Sequence, residues 1–198
     1  ENVLIMPIRA VPNGDERDKD IANAIYYAVD NGAKVINMSF GKSYSPQKDA
    51  VDQAVKYAES KGVLLIHAAG NSSDDIDEVS NFPSRNFKDS KKEAKNWIEV
   101  GASSWKGNEE FVADFSNYGK KSVDVFAPGV DLYSTTPDQK YESNSGTSMA
   151  SPVTAGIAAL LISYYPELEV EQIRKIILES TVKFDKLKVM RPGEEGKL

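Results

Sequence analysis

The segment Gly146-Thr147-Ser148-Met149-Ala150-Ser151-Pro152 puts a turn-permitting glycine and a serine at the start of the most apolar helical pattern in the chain. A serine placed there sits in or near the first helical turn. Free backbone N–H groups and the positive end of the helix dipole favour a developing oxyanion at that point. Ala150, Ala155, Gly156, Ala158 and Ala159 are small, so the helix can pack closely inside a domain. On spacing alone, the same residues also suit an ordinary Ser/Thr-rich cap of a buried helix. A serine nucleophile needs a base, and the chain has one histidine, His67, and no cysteine. The absence of cysteine excludes disulfides, thiolate metal sites and cysteine catalysis. The single histidine excludes any mechanism that draws several from this chain.

The elements that must position such a serine alternate between two periodicities. Val3 to Ile8 reads as a strand, and its apolar run lacks the charged start and the length of a signal peptide. It reads as a strand from the interior of a longer chain. Asp18 to Asn31 carries Ile21, Ala24, Ile25, Ala28 and Val29 at helical spacing and is closed by Gly32. Lys34 to Phe40 reads as a second strand. Ser45 to Lys61 reads as a helix, with Ser45 as cap, Pro46 at the first helical position and Gly62 as stop. Val63 to Ala69 and Asn96 to Ser103 read as further strands. Ser122 to Tyr141 reads as short strands and turns, Thr147 to Tyr165 as a long apolar helix, and Val170 to Ser180 as an amphipathic one. Residues 190–198 read as a loose tail on a single domain spanning 1–198. Strands alternating with helices predict an α/β fold, a three-layer sandwich with a mostly parallel sheet.

Composition narrows the function classes. The chain has 198 residues, of which 40% are hydrophobic and 27% charged, a globular balance that supports a real core. Lys plus Arg is 24 against 30 Asp plus Glu, a net charge of -6. With no basic run and no aromatic-basic interleaving, nucleic acid is not the expected partner. The strongly apolar stretch Ile157 to Ile162 falls well short of the roughly 20 residues of a membrane span. Asp74, Asp75, Asp77 and Glu78 form an acidic cluster without the ordered ligands, glycine and terminal glutamate of an EF-hand, and read as a solvated loop. No metal site is assigned.

Five ordered segments carry a resemblance. Asn144-Ser145-Gly146-Thr147-Ser148-Met149-Ala150-Ser151-Pro152 resembles the nucleophile segment of subtilisin-like serine proteases, the subtilases (peptidase family S8). Ala68-Ala69-Gly70-Asn71 resembles the stretch with that family's oxyanion-hole asparagine. Val35-Ile36-Asn37-Met38-Ser39-Phe40-Gly41 resembles the strand and turn that line its substrate cleft. Phe115-Ser116-Asn117-Tyr118-Gly119 and Phe126-Ala127-Pro128-Gly129 also resemble subtilase segments, in the expected order. Together the matches cover roughly residues 2 to 182.

The resemblance implies a subtilisin-like fold, with Ser148 as nucleophile and Asn71 donating to the oxyanion. It implies a peptide cleft walled by Ser39, Phe40 and Gly41 on one side and Ala68, Ala69 and Gly70 on the other. Ser39 and Asn71 are expected at the carboxyl ends of parallel strands, where sites gather in open α/β sheets. A peptide substrate would then add as a strand against the 39–41 wall.

One departure bears on mechanism. Subtilases order their triad as Asp, His, Ser, and no segment here resembles the Asp strand or the Gly-rich His helix. His67 lies where the family has a small apolar residue and reads as a core histidine. The chain is therefore expected to be the carboxyl-side part of the fold, truncated on its N-terminal side and inactive alone. A non-catalytic peptide-binding pseudoprotease, or one chain of a split enzyme, is the alternative. The Val3–Ile8 edge is expected to be covered by a dimer or other assembly. No cofactor is expected to be required; calcium is a structural ion in the family, with no ligands assignable here. A secreted or periplasmic location is what the family implies.

Overall fold

The computed structural model describes residues 3–11, 14–107 and 110–184. Helix α1 (Asp18–Asp30) leads into strand β1 (Val35–Met38), helix α2 (Lys48–Ser60) and strand β2 (Leu64–Ala68). After a long irregular segment come β3 (Trp97–Ser103) and β4 (Val125–Pro128), then β5 (Leu132–Thr136) and β6 (Lys140–Asn144). Helices α3 (Thr147–Tyr164) and α4 (Val170–Glu179) follow. Strands β1 to β4 form a parallel sheet in the order β1-β2-β3-β4, and β5 and β6 form a separate antiparallel hairpin.

Alternating side chains of the sheet feed two cores. Leu65, Met38 and Trp97 pack with Ile21, Ile25, Val51 and Val55 of α1 and α2. Leu64, Ile66, Ile98 and Val100 pack with Ala150 and Ala158 of α3 and with Ile173 and Ile177 of α4. The result is the expected three-layer sandwich. Strands β2 and β3 are buried at every position, as a parallel strand covered on both faces must be. Helix α3 has the length and apolarity of a membrane-crossing helix, but it packs along all four strands of the sheet and against α4 as part of the domain.

Two local expectations are corrected. Helix α2 begins at Lys48, and Ser45 does not cap it. The Ser45 hydroxyl instead donates to Asp18 Oδ1 at 2.9 Å, and the Gln47 amide donates to Asp18 Oδ2 at 2.7 Å. The carboxylate from the first turn of α1 thus serves the entry to α2, held there by Lys42 at 2.6 Å. Val3 to Ile8 forms no strand: Leu4 is 95% and Ile5 89% exposed. The segment pairs with no strand, so the edge of the sheet on this side is β1 itself, and the apolar pattern alone does not create a ladder. The expected tail at 190–198 lies outside the described residues.

Candidate active site

The carboxyl ends of β1 and β2 and the amino end of α3 converge on one cleft of about 900 Å³. Ser39, Phe40, Gly41, Ala68, Gly70, Asn71 and Ser148 all line it. Ala69, expected among them, does not. It is fully buried, and its carbonyl accepts from Asn81 Nδ2 at 2.9 Å and Asn117 Nδ2 at 2.8 Å. Its role is to fix the strand end from behind.

Ser148 and Ser39 are joined twice. The Ser39 hydroxyl donates to the Ser148 carbonyl at 2.9 Å, and the Ser148 hydroxyl rests on the Ser39 carbonyl at 3.3 Å. The first bond has a covalent origin. In a regular helix the Ser148 carbonyl would accept from the N–H of residue 152, but that residue is Pro152, inside α3, which has none. Ser39 supplies the missing donor across the sheet–helix boundary. Asn37 Nδ2 donates to Ser39 Oγ at 2.9 Å, and the Ser151 hydroxyl donates to Asn37 Oδ1 at 2.7 Å. Three donors therefore point the same way, from α3 through β1 and back onto Ser148, whose hydroxyl is half-buried at the cleft.

Asn71 is oriented from the other side. Its Oδ1 accepts from the Thr147 amide at 2.8 Å and from the Thr147 hydroxyl at 2.9 Å. Thr147 Oγ1 in turn accepts from the Gly70 amide at 3.1 Å. With Oδ1 held, Nδ2 faces the turn before Ser148: a Cβ built on Gly146 would sit 3.4 Å from it. That Nδ2 makes no hydrogen bond to another described residue. The Ser148 N–H lies in the first turn of α3, where a helix offers it no acceptor. These are two donors beside one hydroxyl, the chemistry an oxyanion requires.

The chain reaches this geometry through a backbone that only glycine permits. Gly70 has φ +102°, and a Cβ there would meet Asn117 Nδ2 at 2.4 Å. Asn117 also accepts from the amides of Ser72 and Asp74 and donates its own amide to Gly70. At the rear of the site, the Gly146 amide donates to the Gly129 carbonyl at 2.8 Å. A Cβ on Gly129 would stand 2.6 Å from Ala102 Cβ and 2.9 Å from Gly146 O, so this approach also excludes a side chain. The hairpin β5–β6 leaves and returns through this pair, and the Ser145 hydroxyl accepts from the Asp131 amide at its base.

His67 is buried in β2, between Met38 of β1 and Glu99 of β3. Its two ring nitrogens are taken by Glu99 and by the Phe40 carbonyl, so it has nothing to offer Ser148. Among the described residues no group of three or more His, Cys, Asp or Glu side chains could hold a metal. Carboxylates of the acidic 74–78 loop accept from backbone amides of the loop itself and of the 121–122 segment. Asp77 Oδ1 accepts from the amides of Lys121 and Ser122, and Asp75 Oδ1 from the amide of Asp77. Burial alone would push the Asp77 carboxyl up. The bonds from Ser122 and the Lys121 amide outweigh it and hold the group below the usual carboxylate range.

Sequence reasoning missed Thr147, Asn37, Ser151, Asn81 and Asn117 as working parts of the site. Thr147, Asn37, Ser151 and Asn117 stood inside the family-like segments, and Pro152 four residues after Ser148 was a usable signal that a carbonyl would need an outside donor. Asn81 gives no comparable signal.

The subtilase family model matches residues 1–194. The chain is 44% identical over 163 residues to a thermophilic serine proteinase of Bacillus sp. (strain AK1), covering 82% of this chain and 36% of that protein. It is 39% identical over 160 residues to thermitase of Thermoactinomyces vulgaris, covering 80% of this chain and 51% of that one. Among solved structures, a cold-adapted subtilisin-like serine proteinase superposes with a TM-score of 0.72 at 30% identity, over 88% of this chain and 59% of that one. The chain therefore spans roughly a third to three-fifths of the relatives it matches. By this match and by its parallel sheet with Ser148 at the head of α3, the chain belongs to the subtilase family of serine peptidases.

Proposed function

We propose that this chain is the nucleophile-bearing part of a serine endopeptidase acting on proteins or peptides. In this reading Ser148 Oγ attacks the scissile carbonyl and forms the acyl-enzyme, which water then hydrolyses. The new oxyanion accepts from Asn71 Nδ2 and the Ser148 N–H. The peptide lies along Ser39, Phe40 and Gly41, with Ala68 and Gly70 opposite. The observation that carries the reading is the placement of Ser148 at the head of α3 beside an Asn71 whose Oδ1 is occupied and whose Nδ2 is not.

The site as described lacks a base. Ser148 Oγ meets only the Ser39 carbonyl, and His67 is engaged elsewhere. A base and its orienting carboxylate must come from residues outside this sequence, as Asp-His-Ser order in the family implies, and the chain alone is inactive. Peptide binding without catalysis is the second reading, favoured by that same parked hydroxyl. Fluorophosphonate labelling separates them. The chain alone should label slowly or not at all, and Ser148 should be the labelled residue in any longer or reconstituted form that cleaves peptides. Rapid stoichiometric labelling of the chain alone would overturn the missing base. Labelling at another serine would overturn the nucleophile.

The family association supports an extracellular or periplasmic location. We also propose that the free β1 edge and the exposed apolar residues Val3 to Met6 are covered in solution by another chain or a second copy. Light scattering at tens of micromolar checks this, and a stable monomer would count against it.

A further inference from the structure

The cleft wall at residues 39–41 is held from behind by a group that the peptidase chemistry does not use. His67 is fully buried. Its Nε2 lies 2.7 Å from the Phe40 carbonyl, and its Nδ1 lies 2.8 Å from Glu99 Oε1. A carbonyl only accepts, so Nε2 carries a hydrogen. At Nδ1 the ring and the Glu99 carboxyl share one hydrogen. The other oxygen of that carboxyl accepts from Trp97 Nε1–H at 2.7 Å. The rings of Trp97 and Phe40 flank the imidazole, with centroids at 5.3 and 6.5 Å.

We infer that His67 is a positioning residue for the substrate-binding wall: its Nε2–H ties the Phe40 carbonyl to a ring that the buried Glu99 carboxyl holds by Nδ1, and so sets where residues 39–41 stand against the peptide. Glu99 is in turn fixed by its own amide, which donates to Asp124 Oδ2 at 2.8 Å. Asp124 is neutralised by Arg85 and Arg174. The charged groups linked to the pair are Asp124 with its two arginines, and Glu93, which acts on Arg85. The wall-binding role rests on the peptide cleft proposed above; the hydrogen positions do not.

His67 is the only histidine, so its ring nitrogens can be read in the intact, isotope-labelled chain without assignment ambiguity. Nε2 should show a one-bond N–H coupling. A ring without a hydrogen on Nε2 overturns the inference. Glu99→Gln should leave one ring hydrogen, on Nε2, because the new amide donates to Nδ1. The Gly41 amide signal, which reports on the Phe40 carbonyl, should then stay in place. His67→Phe keeps a flat ring without donors. It should move the Gly41 signal and weaken binding of an extended peptide about fivefold to tenfold, the size of one lost hydrogen bond. If the phenylalanine variant does not fold, the ring hydrogens of the unmodified chain and of Glu99→Gln still decide. A folded phenylalanine variant with an unmoved Gly41 signal overturns the inference. A chain that binds no peptide at all, yet shows the Nε2 hydrogen and the expected Gly41 shifts, upholds the tie and overturns the cleft reading instead.

Discussion

The two margins of the cleft are finished to different degrees. On the β2 side, every strand residue from Leu64 to Ala68 is buried, and the backbone beyond it is fastened by Asn81, Asn117 and Thr147. On the β1 side, Asn37 is exposed, the strand edge is unpaired, and the preceding Val3 to Met6 stand in solvent. On the reading proposed above, the first margin holds Asn71, the donor to the oxyanion, and the second holds the Ser39 carbonyl on which the Ser148 hydroxyl rests. On that reading, oxyanion stabilisation belongs to the closed margin.

That contrast can be broken at several strengths. Leu65→Ala, in the closed core, should cost about 3 kcal/mol in urea unfolding, because a fully buried leucine leaves a cavity between sheet and helices. In a peptide-cleaving form, Asn71→Ala should lower kcat about 100- to 1,000-fold, the size known for removing this donor in subtilisin itself. A fall of less than about tenfold would mean that Asn71 does not face the oxyanion. Ser39→Ala should lower the stability of the chain by about 1 kcal/mol by orphaning the Ser148 carbonyl. In a Pro152→Ala background, where residue 152 regains its N–H, the same change should cost clearly less. Equal costs in a double-mutant cycle would show that the proline does not create the need for Ser39.

Acid should act next. Burial pushes the Asp18 carboxyl up, but the Lys42 ammonium, the Gln47 amide and the Ser45 hydroxyl outweigh it and hold it below its ordinary 3.8. Asp77 is lowered as well. A carboxyl depressed in the fold adds stability that is fully present above the unfolded value and is lost as pH falls through the folded one. Stability should therefore hold down to about pH 4 to 5 and decline below it, and Asp18→Asn should flatten that decline. At the weak end, Leu4→Ser on the open margin should change folding stability by less than about 0.5 kcal/mol, while altering any self-association seen by light scattering.

Much of this was legible in the residues because it is local. The helices at 18–30 and 147–164 follow from apolar spacing and their glycine and proline borders. The parallel sheet follows from short, doubly apolar strands between them. Ser148, Asn71 and Ser39 stood in segments with a recognisable order, and all three line the one cleft. What escaped depends on partners distant in the chain. Ser45 has the chemistry of a cap, but Asp18 reaches the same turn from another helix. Ala69 has the same small side chain as Ala68, yet strand alternation turns it into the core while its carbonyl is taken by two asparagines. Val3 to Ile8 has the pattern of a strand, but a ladder needs a neighbour, and pattern does not provide one.

The Gly129–Gly146 contact has a meaning for how such a site can diversify. The chain leaves the sheet at one glycine and re-enters at the other, and their backbones are hydrogen-bonded to each other. Beyond Val130, which packs against the core, the β5–β6 hairpin with its stacked Tyr133 and Tyr141 hangs from a closed neck. Its length and sequence are therefore insulated from the placement of Ser148. The hairpin is a natural port for insertions, tags or new recognition loops next to the nucleophile, provided the two glycines at the neck are left alone.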